Sequence, residues 1–288
     1  YRPRESDVNL LKKSAKVYLD IEAYLAKRFN GDICEVDVAK SFKDKVHYDK
    51  EKLYKTLGID MAKPLVFIMP HAFSDGPHHT PIGKLLFRDF YVWLVETIKY
   101  ISKIENVNWI VKPHPMSLKY GEEGAVEKLV EKFGNGNVHL APKDFNTSCI
   151  KDMAHTLITV QGKAALEFGC FGIPSIITSY ASYGGFGMAI EPKTKEEYFN
   201  LLKNINSIKK LDEEQIKTAK VLSAIMFLYS RTKDSLFPWE QNFFNPKSEK
   251  SKWEELSVLI KKYDRVNDEF YQRTKDLINL DLYKKYLN

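Results

Sequence analysis

The sequence predicts an α/β fold, a doubly wound parallel sheet with helical additions at its amino and carboxyl ends. Between Pro64 and Ser179 short apolar runs alternate with segments of helical periodicity, the βαβα rhythm of parallel strands covered by helices on both faces. On either side of that stretch only the helical period persists. Size sets the scale: 288 residues with 44% apolar side chains are enough to bury a full core.

The elements follow in order. Leu10, Leu11, Val17, Tyr18, Ile21 and Leu25 recur at helical spacing, which predicts one amphipathic helix over 7–29, entered after Pro3. A charged stretch over 40–55 reads as a linker and a short helix ending at Gly58. Strands are expected over 65–69, 109–111, 138–140, 157–160 and 175–178, and helices between them over 87–104, 125–133, 147–153 and 164–171. Beyond Glu196 the pattern predicts helices over 198–205, 213–229 and 253–286. The loop over 237–247, with Pro238, Trp239, Phe243, Phe244 and Pro246, is rigid and aromatic, and reads as an anchor on the core or a membrane or partner contact. The chain thus divides into a helical segment 1–62, an α/β domain 63–205 and a helical region 206–288.

Charge and cysteine usage narrow the function classes. Lys and Arg outnumber Asp and Glu by 44 to 38, for a formal charge of +6. The basic residues are scattered rather than gathered in a block, which suits an anionic small ligand or a membrane surface and gives no expectation of nucleic acid. Cys34, Cys149 and Cys170 are odd in number and lack CxxC spacing, as expected of reduced thiols in a cytoplasmic protein. No apolar run approaches the ~20 residues of a membrane span. The first residues have neither a signal peptide's apolar core nor an initiating Met, so a longer natural polypeptide is expected.

Three segments after strands carry residues suited to chemistry, where parallel sheets place their ligands. The first is His71-Ala72-Phe73-Ser74-Asp75-Gly76-Pro77-His78-His79. His71 and Asp75 combine an imidazole and a carboxylate able to move a proton at neutral pH, while His78 and His79 read as solvated turn residues. The second is Lys112-Pro113-His114-Pro115, where two prolines stiffen the turn around an imidazole that can reach a phosphate and Lys112 adds charge. The third runs from Thr159 through Gln161-Gly162-Lys163 to Glu167. There a turn opens a helix whose free amides favour phosphate, and Glu167 stands where it can accept hydrogen bonds from ribose hydroxyls. On that reading Glu167→Gln weakens nucleotide binding and spares the fold.

HAFSD after one strand, WIVKPHP after a later one, and a Gly-to-Glu helix followed by FGIPSI together resemble the carboxyl-terminal domain of capsule and surface-polysaccharide biosynthesis glycosyltransferases of GT-B fold. Kdo-type capsule transferases and teichoic-acid glycerophosphotransferases are similar in the same places. The resemblance runs from about Lys63 to Tyr198. It implies a Rossmann-like nucleotide-sugar-binding domain in which His114, Gln161, Gly162 and Lys163 meet the donor phosphates and Glu167 the ribose. It also implies metal-independent chemistry with a carboxylate or imidazole base, and no cofactor beyond the nucleotide-sugar donor as substrate. This chain has Gln161-Gly162 where relatives often carry Ser-Gly or Thr-Gly, and 1–62 is short for an acceptor domain, as a remnant of one would be.

The resulting expectation is an inverting transferase that moves a sugar, best matched by a CMP-linked acid such as Kdo, to a growing capsule or other surface glycan. The acceptor is lipid-linked in one version, with the protein peripheral at the inner face of the membrane or in a synthesis complex. A CDP-polyol phosphotransferase and a nucleotide-sugar epimerase share the layout. A non-catalytic nucleotide- or glycan-binding module is the competing class, and a strand count within 1–62 separates it from a complete two-domain enzyme.

Overall fold

The computed structural model describes residues 2–32, 36–75, 85–230, 249–278 and 283. Cys34, His78, His79 and the aromatic loop over 237–247 lie outside the described residues. Five strands, β1 (Leu65–Ile68), β2 (Asn108–Val111), β3 (Val138–Leu140), β4 (Ala154–Thr159) and β5 (Ser175–Ile177), form one sheet in the order β3-β2-β1-β4-β5. Every pairing is parallel. All four residues of β1 are buried, and their alternation splits the core into two faces. Val66 and Ile68 pack with α5 (Phe90–Ile101), α6 (Ala125–Phe133) and α9 (Lys195–Lys203). Leu65 and Phe67 face α3 (Val36–Phe42), α4 (Lys50–Leu57), α7 (Ile150–Met153) and Phe168 of α8 (Ala164–Gly169). Each such apolar side chain contributes roughly 1.5–3 kcal/mol by leaving water.

A third cluster joins both ends of the chain. α1 (Glu5–Leu11), α2 (Ala15–Phe29) and α10 (Glu213–Ala224) pack around α8. The helix expected over 7–29 is therefore two helices. Ser14 is extended, with φ −95° and ψ 115°, and this break lets Leu11 and Val17 both sink to 0% exposure. α5 starts at Phe90 rather than Phe87 because the Asp89 carboxylate accepts the Val92 amide at 2.7 Å, an N-cap that fixes the first turn. Gly58 ends α4 as expected, at φ 63°. α10 gives way at Ile225 to a π-helical turn over Ile225–Tyr229, which widens the last part of the helix expected over 213–229.

The helix expected over 253–286 also divides, into α11 (Glu249–Lys262) and α12 (Glu269–Ile278). Asp264 accepts the Val266 and Asn267 amides, and Asp268 accepts the Tyr271 amide, so side chains take over the backbone donors and turn the chain between the helices. Among the described residues of 2–62 there is no strand beyond an isolated bridge from Val46 to Phe145. The stretch is helical and shares its core with the α/β unit. No helix among the described residues is long and apolar enough to cross a membrane.

Candidate functional site

A cleft lies along the carboxyl edge of the sheet, and strand order explains its position. β2, β1 and β4 are neighbours, and each carries one of the chemistry-bearing residues three positions beyond its end: His114 after Val111, His71 after Ile68, Gly162 after Thr159. The strands pair in register, Ile68 beside Val111 and Ile158, so the three turns emerge at one edge. Strand order reverses between β1 and β4, which is where an open parallel sheet leaves a crevice. The cleft measures about 690 Å3, and His71, Asp75, Lys112, His114, Gln161, Gly162, Lys163 and Glu167 all line it.

The floor is a hydrogen-bonded seam between β1 and β4. Thr159 Oγ1 donates to the Met69 carbonyl at 2.9 Å and accepts the Gly162 amide at 3.3 Å. A Cβ at Gly162 would stand 2.7 Å from that oxygen, so close approach, rather than a left-handed backbone, demands glycine here. The Gln161 amide donates to His71 Nε2 at 3.2 Å, and the buried Tyr183 hydroxyl donates to the Gly162 carbonyl at 2.6 Å. The contact that distinguishes Gln161 is thus made by its backbone. With Gln161 and Gly162 satisfied internally, the amides lacking an internal acceptor among the described residues are those of Lys163 and Ala164.

The same seam sets the state of His71. Its acceptor nitrogen is Nε2, which puts the proton on Nδ1, and the ring stacks on Phe90 at 4.7 Å. Burial first, and His114 second, push its pKa down to about 4. His71 is therefore neutral at physiological pH, with its lone pair already engaged, and is a weak proton acceptor. His114 takes the complementary tautomer, since Nδ1 accepts the Met116 amide at 3.3 Å and Nε2 carries the proton.

Lys112 lines the same cleft. Burial pushes its pKa down to about 8, with Lys45 adding repulsion, and no carboxylate among the described residues pairs with it. An ammonium destabilised in this way gains most from an anion.

Asp75 lines the cleft from an exposed loop. Its Oδ1 accepts the Tyr120 hydroxyl at 2.8 Å. Glu122 accepts the Phe73 and Ser74 amides, each at 2.7 Å, and so clamps the loop that carries Asp75. Both partners come from the segment between β2 and α6.

Glu167 is neither solvated nor free to be changed without cost to the fold. It is 5% exposed, and its Oε1 receives Arg28 Nη2 at 2.8 Å and Nε at 3.0 Å. Both contacts fall on one oxygen, leaving Oε2 outside the pair, and both residues line the cleft. The expectation that Glu167→Gln spares the fold is corrected by this pairing, because the substitution removes one half of a buried ion pair. Arg28, Tyr120, Glu122 and Tyr183 are the residues that sequence reasoning missed. Arg28 lies in the last turn of α2, where a basic residue reads as a solvated partner of the helix dipole, and its contact is 139 residues distant.

No protein-family model and no curated protein matches the chain. Among solved structures it is similar to the β-Kdo 2,4 transferase of KpsC from Thermosulfurimonas dismutans, at 12% identity and a TM-score of 0.45 over 76% of this chain and 63% of that one. It is similar to MnaA of S. aureus in a co-structure with UDP, at 13% identity and a TM-score of 0.38 over 65% of this chain and 46% of that one. It is also similar to the wall teichoic acid polymerase TagF, at 11% identity and a TM-score of 0.39 over 74% of this chain and 46% of that one. The chain spans less than two thirds of the length of each of these structures, from 46% to 63%.

Proposed function

We propose that the cleft is the donor side of a glycosyltransferase, holding a nucleotide-activated sugar and passing it to a hydroxyl of a growing capsule or other surface polysaccharide. One observation supports this above the others. Among the described residues, a single cleft joins an ammonium lacking a carboxylate partner, two amides open to an anion, and a carboxylate with one unclaimed oxygen. Counting Arg28 and Glu167 as a pair, Lys112, Lys119 and Lys163 are set against Asp75 alone among the charged described residues of the lining. That balance suits a ligand with two negative charges, as carried by a CMP-linked sugar acid or a nucleoside diphosphate sugar, and the sequence resemblance favours the former.

In the proposed reaction the acceptor oxygen attacks the anomeric carbon and its proton passes to Asp75. The bond from that carbon to the phosphate oxygen breaks, with inversion. Lys112, His114 and the Lys163 and Ala164 amides stabilise the charge left on the phosphate. His71 positions the Gln161-Gly162 turn as a neutral imidazole, so of the two candidate bases Asp75 is preferred. Because ammonium groups meet the phosphate charge, turnover is expected to survive EDTA. Loss of turnover on chelation, restored by magnesium or manganese, would count against this mechanism.

Calorimetric titration with CMP, CDP, UDP and GDP tests the site. Anion binding requires Lys112 protonated, and its pKa in the unliganded chain is lowered to about 8. Affinity should therefore be full near pH 7 and fall by about tenfold by pH 9, with Lys112→Met flattening the profile. A flat wild-type profile would remove Lys112 from the anion site.

A second reading is a binding module without transfer activity; the described residues of 2–62 are helical and share their core with the α/β unit. Sugar transfer with release of free nucleotide separates the proposed transferase from such a module. It separates it equally from an epimerase, which returns an altered nucleotide sugar without any acceptor, while turnover of a CDP-polyol instead would identify a phosphotransferase.

A further inference from the structure

We infer that Arg28, contributed by α2 outside the parallel sheet, is a positioning residue for recognition of the nucleotide's ribose, acting through Glu167. The inference rests on the donor-side reading of the cleft. Arg28 and Glu167 have side chains only 5% and 7% exposed, and the two Arg28 nitrogens that reach Glu167 converge on Oε1. A planar guanidinium that engages one oxygen through two nitrogens fixes the rotation of the carboxylate plane and so fixes where Oε2 lies.

Arg28 is itself held. Its guanidinium carbon lies 5.1 Å from the Phe227 ring centroid, and Phe227 stacks on Tyr24 at 5.5 Å. Phe227 belongs to the π-helical turn Ile225–Tyr229, and the preceding Met226 lines the cleft. α2, α8 and the end of α10 thus converge on one carboxylate. A buried ion pair is a poor source of stability relative to an apolar pair of the same volume. Its placement at a cleft wall, with one acceptor oxygen left over, is what a site needs to hold a diol in a set direction.

The test compares affinity for a ribonucleotide with affinity for its 2′-deoxy counterpart, using whichever of CMP, CDP, UDP and GDP binds most tightly. Wild type should prefer the ribonucleotide by roughly tenfold or more, the scale of a hydrogen bond to a charged acceptor. Arg28→Lys keeps the charge but loses the two-nitrogen grip, and should bring that ratio below about threefold. A residue with a purely structural role would change overall stability and leave the ratio alone.

Wild-type discrimination that persists in Arg28→Lys would overturn the inference while leaving the donor site standing, and so would tight binding without discrimination in wild type. No binding of any of the four nucleotides would overturn the donor reading itself. Should Arg28→Lys fail to fold, a crystal structure of the native chain with the nucleotide bound decides the matter. A ribose hydroxyl on Oε2 with Arg28 retained on Oε1 supports the assignment, and a ribose held elsewhere refutes it.

Discussion

Asp75→Asn is expected to lower turnover by about 10²–10⁴-fold, the usual contribution of a positioned general base. The substitution keeps the shape of the side chain and an oxygen able to accept the Tyr120 hydroxyl, so the wall of the cleft should stay in place. The loop itself is anchored one and two residues earlier by Glu122, independently of Asp75. What is lost is the capacity to take a proton from the acceptor hydroxyl. Single-turnover measurement with a saturating donor isolates that step, because the groups proposed to hold the donor phosphate, Lys112, His114 and the Lys163 and Ala164 amides, are left unchanged. Undiminished turnover would mean that the proton goes elsewhere, and His71 would return as the alternative despite its engaged lone pair and its pKa near 4.

Breaking the Arg28–Glu167 pair should give the largest loss of stability. Arg28→Met leaves the Glu167 carboxylate buried and uncompensated, and about 3–5 kcal/mol of destabilisation is expected. Glu167→Gln instead removes one charge that the guanidinium faces, and the Phe227 ring and the Tyr24 hydroxyl stay beside it to offset part of the loss. The double replacement Arg28→Met with Glu167→Gln removes both charges together and should recover most of the stability. Urea denaturation of the two single variants and the double variant completes the cycle. Additive losses would show that the two side chains contribute separately and that the pair is not a unit.

Much of the cleft was legible because one regularity of the fold is local. Apolar runs mark strands, parallel strands share an edge, and residues just beyond them meet, so His71, His114 and Gly162 follow from pattern alone. Roles were harder to read than places. The tautomer of His71 depends on an amide from the turn after β4, and the buried state of Glu167 depends on an arginine from the second helix. Neither contact leaves a periodic trace. Helix ends were missed where single carboxylates intervened, at Asp89, Asp264 and Asp268, because a cap outweighs the continuing apolar period. The break at Ser14 was hidden for a different reason, as the apolar residues on both sides serve one cluster.

The common spacing of three residues between a strand end and the residue that meets the cleft makes this site sensitive to chain length as well as to residue identity. Removing one residue between Ile68 and His71 would withdraw the imidazole by up to ~3.4 Å, more than a hydrogen bond tolerates. At the opposite edge the turns into β1, β2 and β3 carry no described residue of the cleft. The turn from Phe133 to Val138 already runs through Asn135 and Gly136 at positive φ, and lengthening a surface loop costs only about 0.6 kcal/mol per doubling. Insertions and deletions should therefore accumulate on one side of the sheet in the chain's natural variants, leaving the carboxyl edge with fixed loop origins and the amino edge free to drift in length.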